Sequence, residues 1–192
     1  MRILITVGTA ASPFNRLLQY ADEAIASLST EVTGVCQGGS GSIHPRGLEF
    51  RETLTRAEFD IEITKADVVI CHAGVGTIWT ALREGHSPLV VPRLKLHGEH
   101  VNDHQLQIVE ALYQEGRLVF IQGVEQMRQQ LLRYERGEVH RGPRLGQTAS
   151  RFDTVAAAIA EGPTRATSPL IGKVALRLLG VFGPSIEKLR VG

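Results

Sequence analysis

The chain has 192 residues, enough for one domain with a full core and an extension. Hydrophobic residues make up 43% and charged residues 21%, which excludes a disordered or coiled-coil chain. The net charge of +1 gives no electrostatic footprint for a nucleic-acid partner.

Residues 2–7 (RILITV) read as a buried first strand rather than a signal peptide, since no apolar h-region follows a basic start. After a loop over residues 8–11, Ser12 and Pro13 read as an N-cap and a first helical residue. Phe14, Leu17, Leu18, Ala21, Ile25 and Leu28 then recur at helical spacing. A second strand is expected over residues 31–36, followed by a flexible loop over 37–42 and a short third strand over 47–51. Thr55 and Glu58 have capping-box spacing and open a helix that runs to Lys65.

Residues 66–105 form the centre of the chain. A short apolar strand (67–71) leads into a glycine-rich turn (72–77) and a helix (78–84) that Gly85 ends. A further strand (88–91) leads into a polar loop with Arg93, Lys95, His97, Glu99 and His100. A helix starting at Asn102 or Asp103 runs to about residue 116, a sixth strand covers 118–121, and a helix covers 124–134. Short strands without alternation suit a parallel sheet covered on both faces, and the alternation of strand and helix makes the domain α/β and Rossmann-like. Two neighbouring strand ends then form a crevice at the carboxyl edge. Residues 136–192 are expected as a linker and a helical tail: a surface stretch (137–150), a short helix (151–160) and an apolar segment (168–182) with Lys173 and Arg177. That segment is too short to span a bilayer and suits docking on the domain, a partner or a membrane surface. Cys36 and Cys71 read as small buried thiols.

The turn His72-Ala73-Gly74-Val75-Gly76-Thr77 has the features of an anion site, where free N–H groups and a helix dipole meet. It lacks the third glycine of a dinucleotide fingerprint, and no acidic residue stands about 20 positions on, so nicotinamide chemistry is disfavoured. His72 either satisfies the rim or bonds a phosphate or ribose. Arg93 can neutralise a diphosphate, and Asp103 and Gln105 can grip vicinal hydroxyls; capping is the structural alternative for Asp103. The spacing HGEHVNDH is not that of a zincin, and no metal site is assigned. No nucleophile or general base stands out, so the catalytic residues stay unassigned.

VGTAASPFNRLL, ADVVICHAGVGTIWTAL and PLVVPRLKLHGEHVNDHQ together resemble the C-terminal domain of glycosyltransferase family 28, over about residues 1–135. The likeness is greatest to stand-alone members: bacterial exopolysaccharide and capsule subunits, and the catalytic subunit of the eukaryotic dolichol-linked N-acetylglucosamine transferase. The resemblance implies the donor-binding half of a GT-B fold split across two chains. It implies a UDP-sugar donor, a lipid-linked sugar acceptor, a small membrane-anchored partner that binds the acceptor, no cofactor and no metal. The chain would sit in the cytoplasm, at the inner membrane face through that partner, and self-association of the lone chain stays open. By the resemblance, Gly8 and Thr9 line the donor cleft; His72, Gly74, Gly76 and Thr77 hold the diphosphate and nearby ribose; Glu99, Asp103, His104 and Gln105 lie near ribose and donor sugar. By the resemblance, full-length family members carry a ribose-binding glutamate near the position of Thr80, so Glu84 or Glu99 would have to replace it, or the contact is lost. A non-catalytic nucleotide-sugar-binding or regulatory subunit is the alternative function.

Overall fold

The computed structural model describes residues 1–99, 109, 112–114 and 116–142, all within the first of two units into which the chain divides, Met1–Ala149. The expected tail elements beyond residue 142, and His100, Asp103, His104 and Gln105, lie outside the described residues.

Six parallel strands form one sheet: β1 (Arg2–Thr6), β2 (Thr33–Gln37), β3 (Glu49–Arg51), β4 (Val68–His72), β5 (Leu89–Val91) and β6 (Val119–Phe120). Their order is β3-β2-β1-β4-β5-β6. The chain therefore builds outward from β1 to β3, then returns and builds outward the other way from β4. The reversal falls between β1 and β4, which pair in register from Ile3↔Val68 to Thr6↔Cys71.

Both faces are covered, as the unalternating strands require. On one face Ile3, Ile5 and Val7 pack with Phe14, Leu17, Leu18 and Ala21, and with Met127 and Leu131. These come from α1 (Asn15–Ile25) and a last helix that we number α4 (Val124–Glu135). On the other face Leu4, Val69 and Cys71 pack with Ile63, Ile78, Ala81 and Leu82 of α2 (Arg56–Lys65) and α3 (Val75–Arg83). Successive residues of β1 thus serve opposite layers, the two-residue period of a strand. Both cysteines are buried, one in each layer, and burial pushes each thiol up to about 12.

Several boundaries differ from expectation. The first helix starts at Asn15 with Phe14 at the N-cap, so Ser12 and Pro13 precede it. Arg93 is the cause: its guanidinium takes the Ser12 carbonyl at 3.0 Å and lies 4.5 Å over the buried Phe14 ring, which holds the segment out of helical geometry. The second strand begins at Thr33 because its register starts at Arg2↔Thr33. The capping box of α2 is present as read, with Glu58 N–H donating to Thr55 Oγ1 at 3.2 Å and Thr55 N–H to Glu58 Oε2 at 2.7 Å. Of the helix expected from Asn102 or Asp103, residues 109 and 112–114 are described and helical.

Residues 136–142 stay on the surface as expected but are fastened down. Gly142 N–H donates to the Gly85 carbonyl at 2.8 Å, and Arg141 Nη2 donates to the Ile63 carbonyl at 2.8 Å while lying 2.6 Å from His86 Nε2. These contacts precede β4 and β5, so they lie at the amino-terminal edge of the sheet. Among the described residues no helix is long and apolar enough to cross a membrane.

Candidate functional site

An open parallel sheet binds ligands outside the carboxyl ends of its strands, where the strand order reverses. A cleft of about 630 Å³ lies at that place. The loop after β1 supplies Gly8, Thr9, Ala10 and Ala11, and the start of α3 supplies Gly76 and Thr77. The loops after β2 and β3 supply Gly39 and Ser40, then Glu52, Thr53, Leu54 and Thr55, with Arg56 and Phe59 from α2.

Two buried polar side chains make the floor. Thr6 Oγ1 donates to Gln37 Oε1 at 2.5 Å, and Gln37 Nε2 donates to the carbonyls of Gly8 at 2.9 Å and Glu52 at 3.0 Å. One amide thus ties together two loops that face each other across the cleft, and every polar atom of Gln37 is used.

The α3 end is built for an anion. Gly74 occupies the N-cap and no side chain caps it, so the N–H groups of the first turn stay free toward the cleft. The helix begins earlier than expected, so Thr77 stands within its first turn rather than at the cap. Gly76 has nothing within 4 Å of where a Cβ would lie, which leaves room for a ligand against the backbone.

His72 ends β4 and packs behind this loop. A Cβ at Gly8 would lie 2.4 Å from His72 Nε2, and one at Gly74 would lie 2.2 Å away, so the ring fills the space that two glycines leave. Its Nδ1 is out of contact with solvent and has no partner among the described residues. Burial, joined by the positive charge of Arg93 and opposed by a backbone contact with Thr6, lowers the imidazole pKa to about 4. The folded protein therefore takes up this proton less readily than the unfolded chain. Stability from this group is complete above the unfolded value of about 6.5 and falls as pH drops through 4, by on the order of 3 kcal/mol in total. Denaturant midpoints between pH 7 and 4 should show this loss in the wild type and much less of it in His72→Asn. An imidazole resonance of His72 titrating near pH 6.5 would contradict it.

The chain matches the glycosyltransferase family 28 C-terminal domain over residues 2–138.

The chain belongs to glycosyltransferase family 28.

Curated relatives agree with this family 28 assignment. UDP-N-acetylglucosamine transferase subunit ALG13 of Yarrowia lipolytica is 32% identical over 130 residues, covering 62% of this chain and 64% of that protein. The protein of the same name from Homo sapiens is 30% identical over 128 residues, covering 62% of this chain and 11% of its own. The matched region thus spans only part of each relative. Among solved structures, Spinosyn Forosaminyltransferase SpnP shares the fold at a TM-score of 0.51 and 18% identity, covering 93% of this chain and 43% of its own. The fold is that of the Rossmann-like C-terminal half of a GT-B glycosyltransferase.

Within this family 28 domain the anticipated residues divide into groups. Gly8, Thr9, Gly76 and Thr77 line the cleft. His72 and Gly74 stand immediately behind it. Arg93 and Glu99 are engaged elsewhere. Arg93 is 1% exposed and donates to the carbonyls of Ser12 at 3.0 Å and Val7 at 3.1 Å. Arg16 holds both oxygens of Glu99, at 3.0 and 2.7 Å, and the Leu94 N–H donates to one of them at 3.0 Å. Burial pushes the Glu99 carboxyl up, but those bonds outweigh it and hold it below the usual range. These two charges brace the lip of the cleft from below; an exposed diphosphate clamp at Arg93 is not what the chain builds. Among the described residues the cleft lies at the β1–β4 reversal and extends toward β3, while the loop after β5 is described only as far as Glu99. Gln37 and residues 52–56 and 59 were not anticipated; the glycines after Gln37 were the available signal, since a glycine-rich strand end permits close approach.

Proposed function

We propose that this chain is the donor-binding subunit of a UDP-sugar glycosyltransferase that acts on a lipid-linked saccharide at the cytoplasmic face of a membrane. The observation that carries the reading is the meeting of the uncapped α3 terminus with the Gly8 loop at the strand-order reversal, in a family 28 chain. The diphosphate lies against the free N–H groups of α3, where dipole and hydrogen bonds stabilise the charge that grows as UDP leaves. The nucleoside extends toward Leu54 and Phe59, the apolar part of the lining. His72 is neutral at working pH and adds no charge to this end.

Transfer is an inverting displacement. The acceptor hydroxyl attacks the anomeric carbon, the bond from that carbon to the diphosphate oxygen breaks, and UDP departs with the electron pair. The hydroxyl proton passes to a base. A membrane-anchored partner supplies that base and the acceptor site, a reading supported by the word "subunit" in the relatives' names. Those names also make UDP-N-acetylglucosamine the first donor to try, while exopolysaccharide assembly is the process suggested by the sequence of the 92–105 loop.

The test is ligand protection followed by reconstitution. UDP at about 100 times its dissociation constant should add about 2.7 kcal/mol, a rise in melting temperature of roughly 5–10 °C. NAD should add nothing. The lone chain should transfer little sugar, and the chain co-purified with its membrane partner should transfer it readily. Protection by NAD in place of UDP would remove the donor reading, and robust transfer by the lone chain would remove the split site.

A further inference from the structure

One charged side chain at the cleft has no task in binding phosphate. Glu52 follows β3, lines the cleft and is exposed. Its backbone is locked. The Glu52 carbonyl accepts from Gln37 Nε2 at 3.0 Å and from Gly39 N–H at 3.1 Å, and the preceding Arg51 carbonyl accepts from Gly38 N–H at 2.9 Å. Its carboxylate, in contrast, has no hydrogen bond or ion pair among the described residues. The basic side chains beside it are committed: Arg51 to Glu49 and Glu58, and Arg56 to Asp60.

A carboxylate repels a diphosphate, so the Glu52 side of the cleft must face a part of the ligand that donates hydrogen bonds. A ribose offers two adjacent hydroxyls, and a carboxylate offers two oxygens at matching separation. The other carboxylates considered for this duty are placed away from it. Glu84 caps the carboxyl end of α3, where Thr64 Oγ1 approaches it at 3.5 Å, and Arg16 occupies Glu99. Thr80 is no substitute, since its hydroxyl donates to the Gly76 carbonyl at 2.8 Å.

We propose that Glu52 grips the ribose diol of the bound nucleotide, and that Gln37 fixes it at the distance this requires, so that the site selects ribonucleotides over deoxyribonucleotides. This rests on the donor reading above and adds the residue that sets sugar selectivity within the nucleotide.

The test uses the full chain and two probes, UDP and 2′-deoxy-UDP, with affinities measured by calorimetry. Wild type should prefer UDP by about tenfold or more, the worth of a hydrogen bond to a charged acceptor. In Glu52→Ala the preference should fall to near one, because UDP loses the bonds to both hydroxyls while 2′-deoxy-UDP loses only the bond to its 3′-hydroxyl. Glu52→Gln, which keeps the shape and one acceptor, should lie between. The exposed position predicts an unaltered melting temperature for both variants without ligand, which separates lost recognition from lost folding. A wild type that binds UDP but does not distinguish the two probes, or a preference that survives in Glu52→Ala, overturns this assignment alone. A wild type that binds neither probe overturns the donor reading and this assignment with it.

Discussion

Gly8→Val should abolish UDP binding and remove roughly 3 kcal/mol or more of stability. Two costs add. Gly8 has φ +80°, a left-handed conformation that a β-branched residue enters only with strain. The new Cβ would also arrive 2.4 Å from His72 Nε2, inside any allowed contact. The ring is also confined at Gly74, where a Cβ would lie 2.2 Å from the same Nε2. The two costs can be separated by a double-mutant cycle. In a His72→Ala background Gly8→Val should cost distinctly less, because the collision is gone and only the backbone strain is left. Equal costs in both backgrounds, read from denaturant midpoints, would show that His72 does not press on Gly8.

Arg93→Met should be the other severe change, at about 2–5 kcal/mol and roughly 10 °C in melting temperature. The methionine fills much of the volume but leaves the carbonyls of Val7 and Ser12 buried without donors. Those carbonyls belong to the loop that forms the lip of the cleft, so UDP affinity should fall with stability. Burial pulls the Arg93 guanidinium below its ordinary range while Glu99 opposes this, and the cation in turn depresses His72. Removing it should therefore raise the His72 pKa toward its ordinary value, which an imidazole titration reads directly. Arg93→Lys keeps the charge but loses the planar fork, so it should keep the low His72 pKa and recover only part of the stability. A variant that melts like wild type would mean that the buried carbonyls are satisfied without the arginine.

The layered α/β fold was legible because it is written locally. The central strands β1, β4 and β5 are short apolar runs, and α2 carries its capping box. The α3 side of the cleft was legible for the same reason, since Gly74, Gly76 and Thr77 adjoin one another. The far wall was not. Gln37 and Glu52 meet Gly8 only because β2 lies between β1 and β3, and that order is a property of the whole sheet. Arg93 was misleading for a related reason. An arginine after a strand reads as a solvent-facing cation unless one knows that carbonyls about 80 positions earlier wait for it. Phe14 follows from the same contact: a proline after a serine usually opens a helix, but here the cation claims the preceding backbone first.

The sheet tapers at both sides: β3 has three residues and β6 two, while β1, β2 and β4 have five each. A foreign strand seeking to extend it would find only a rung or two of ladder on either flank, too little to hold it in place. Crowding should therefore not zip copies of this domain together along their margins. Any association between copies that those margins were asked to support would have to be carried by helix faces and loops instead, and it would survive agents that compete for backbone pairing.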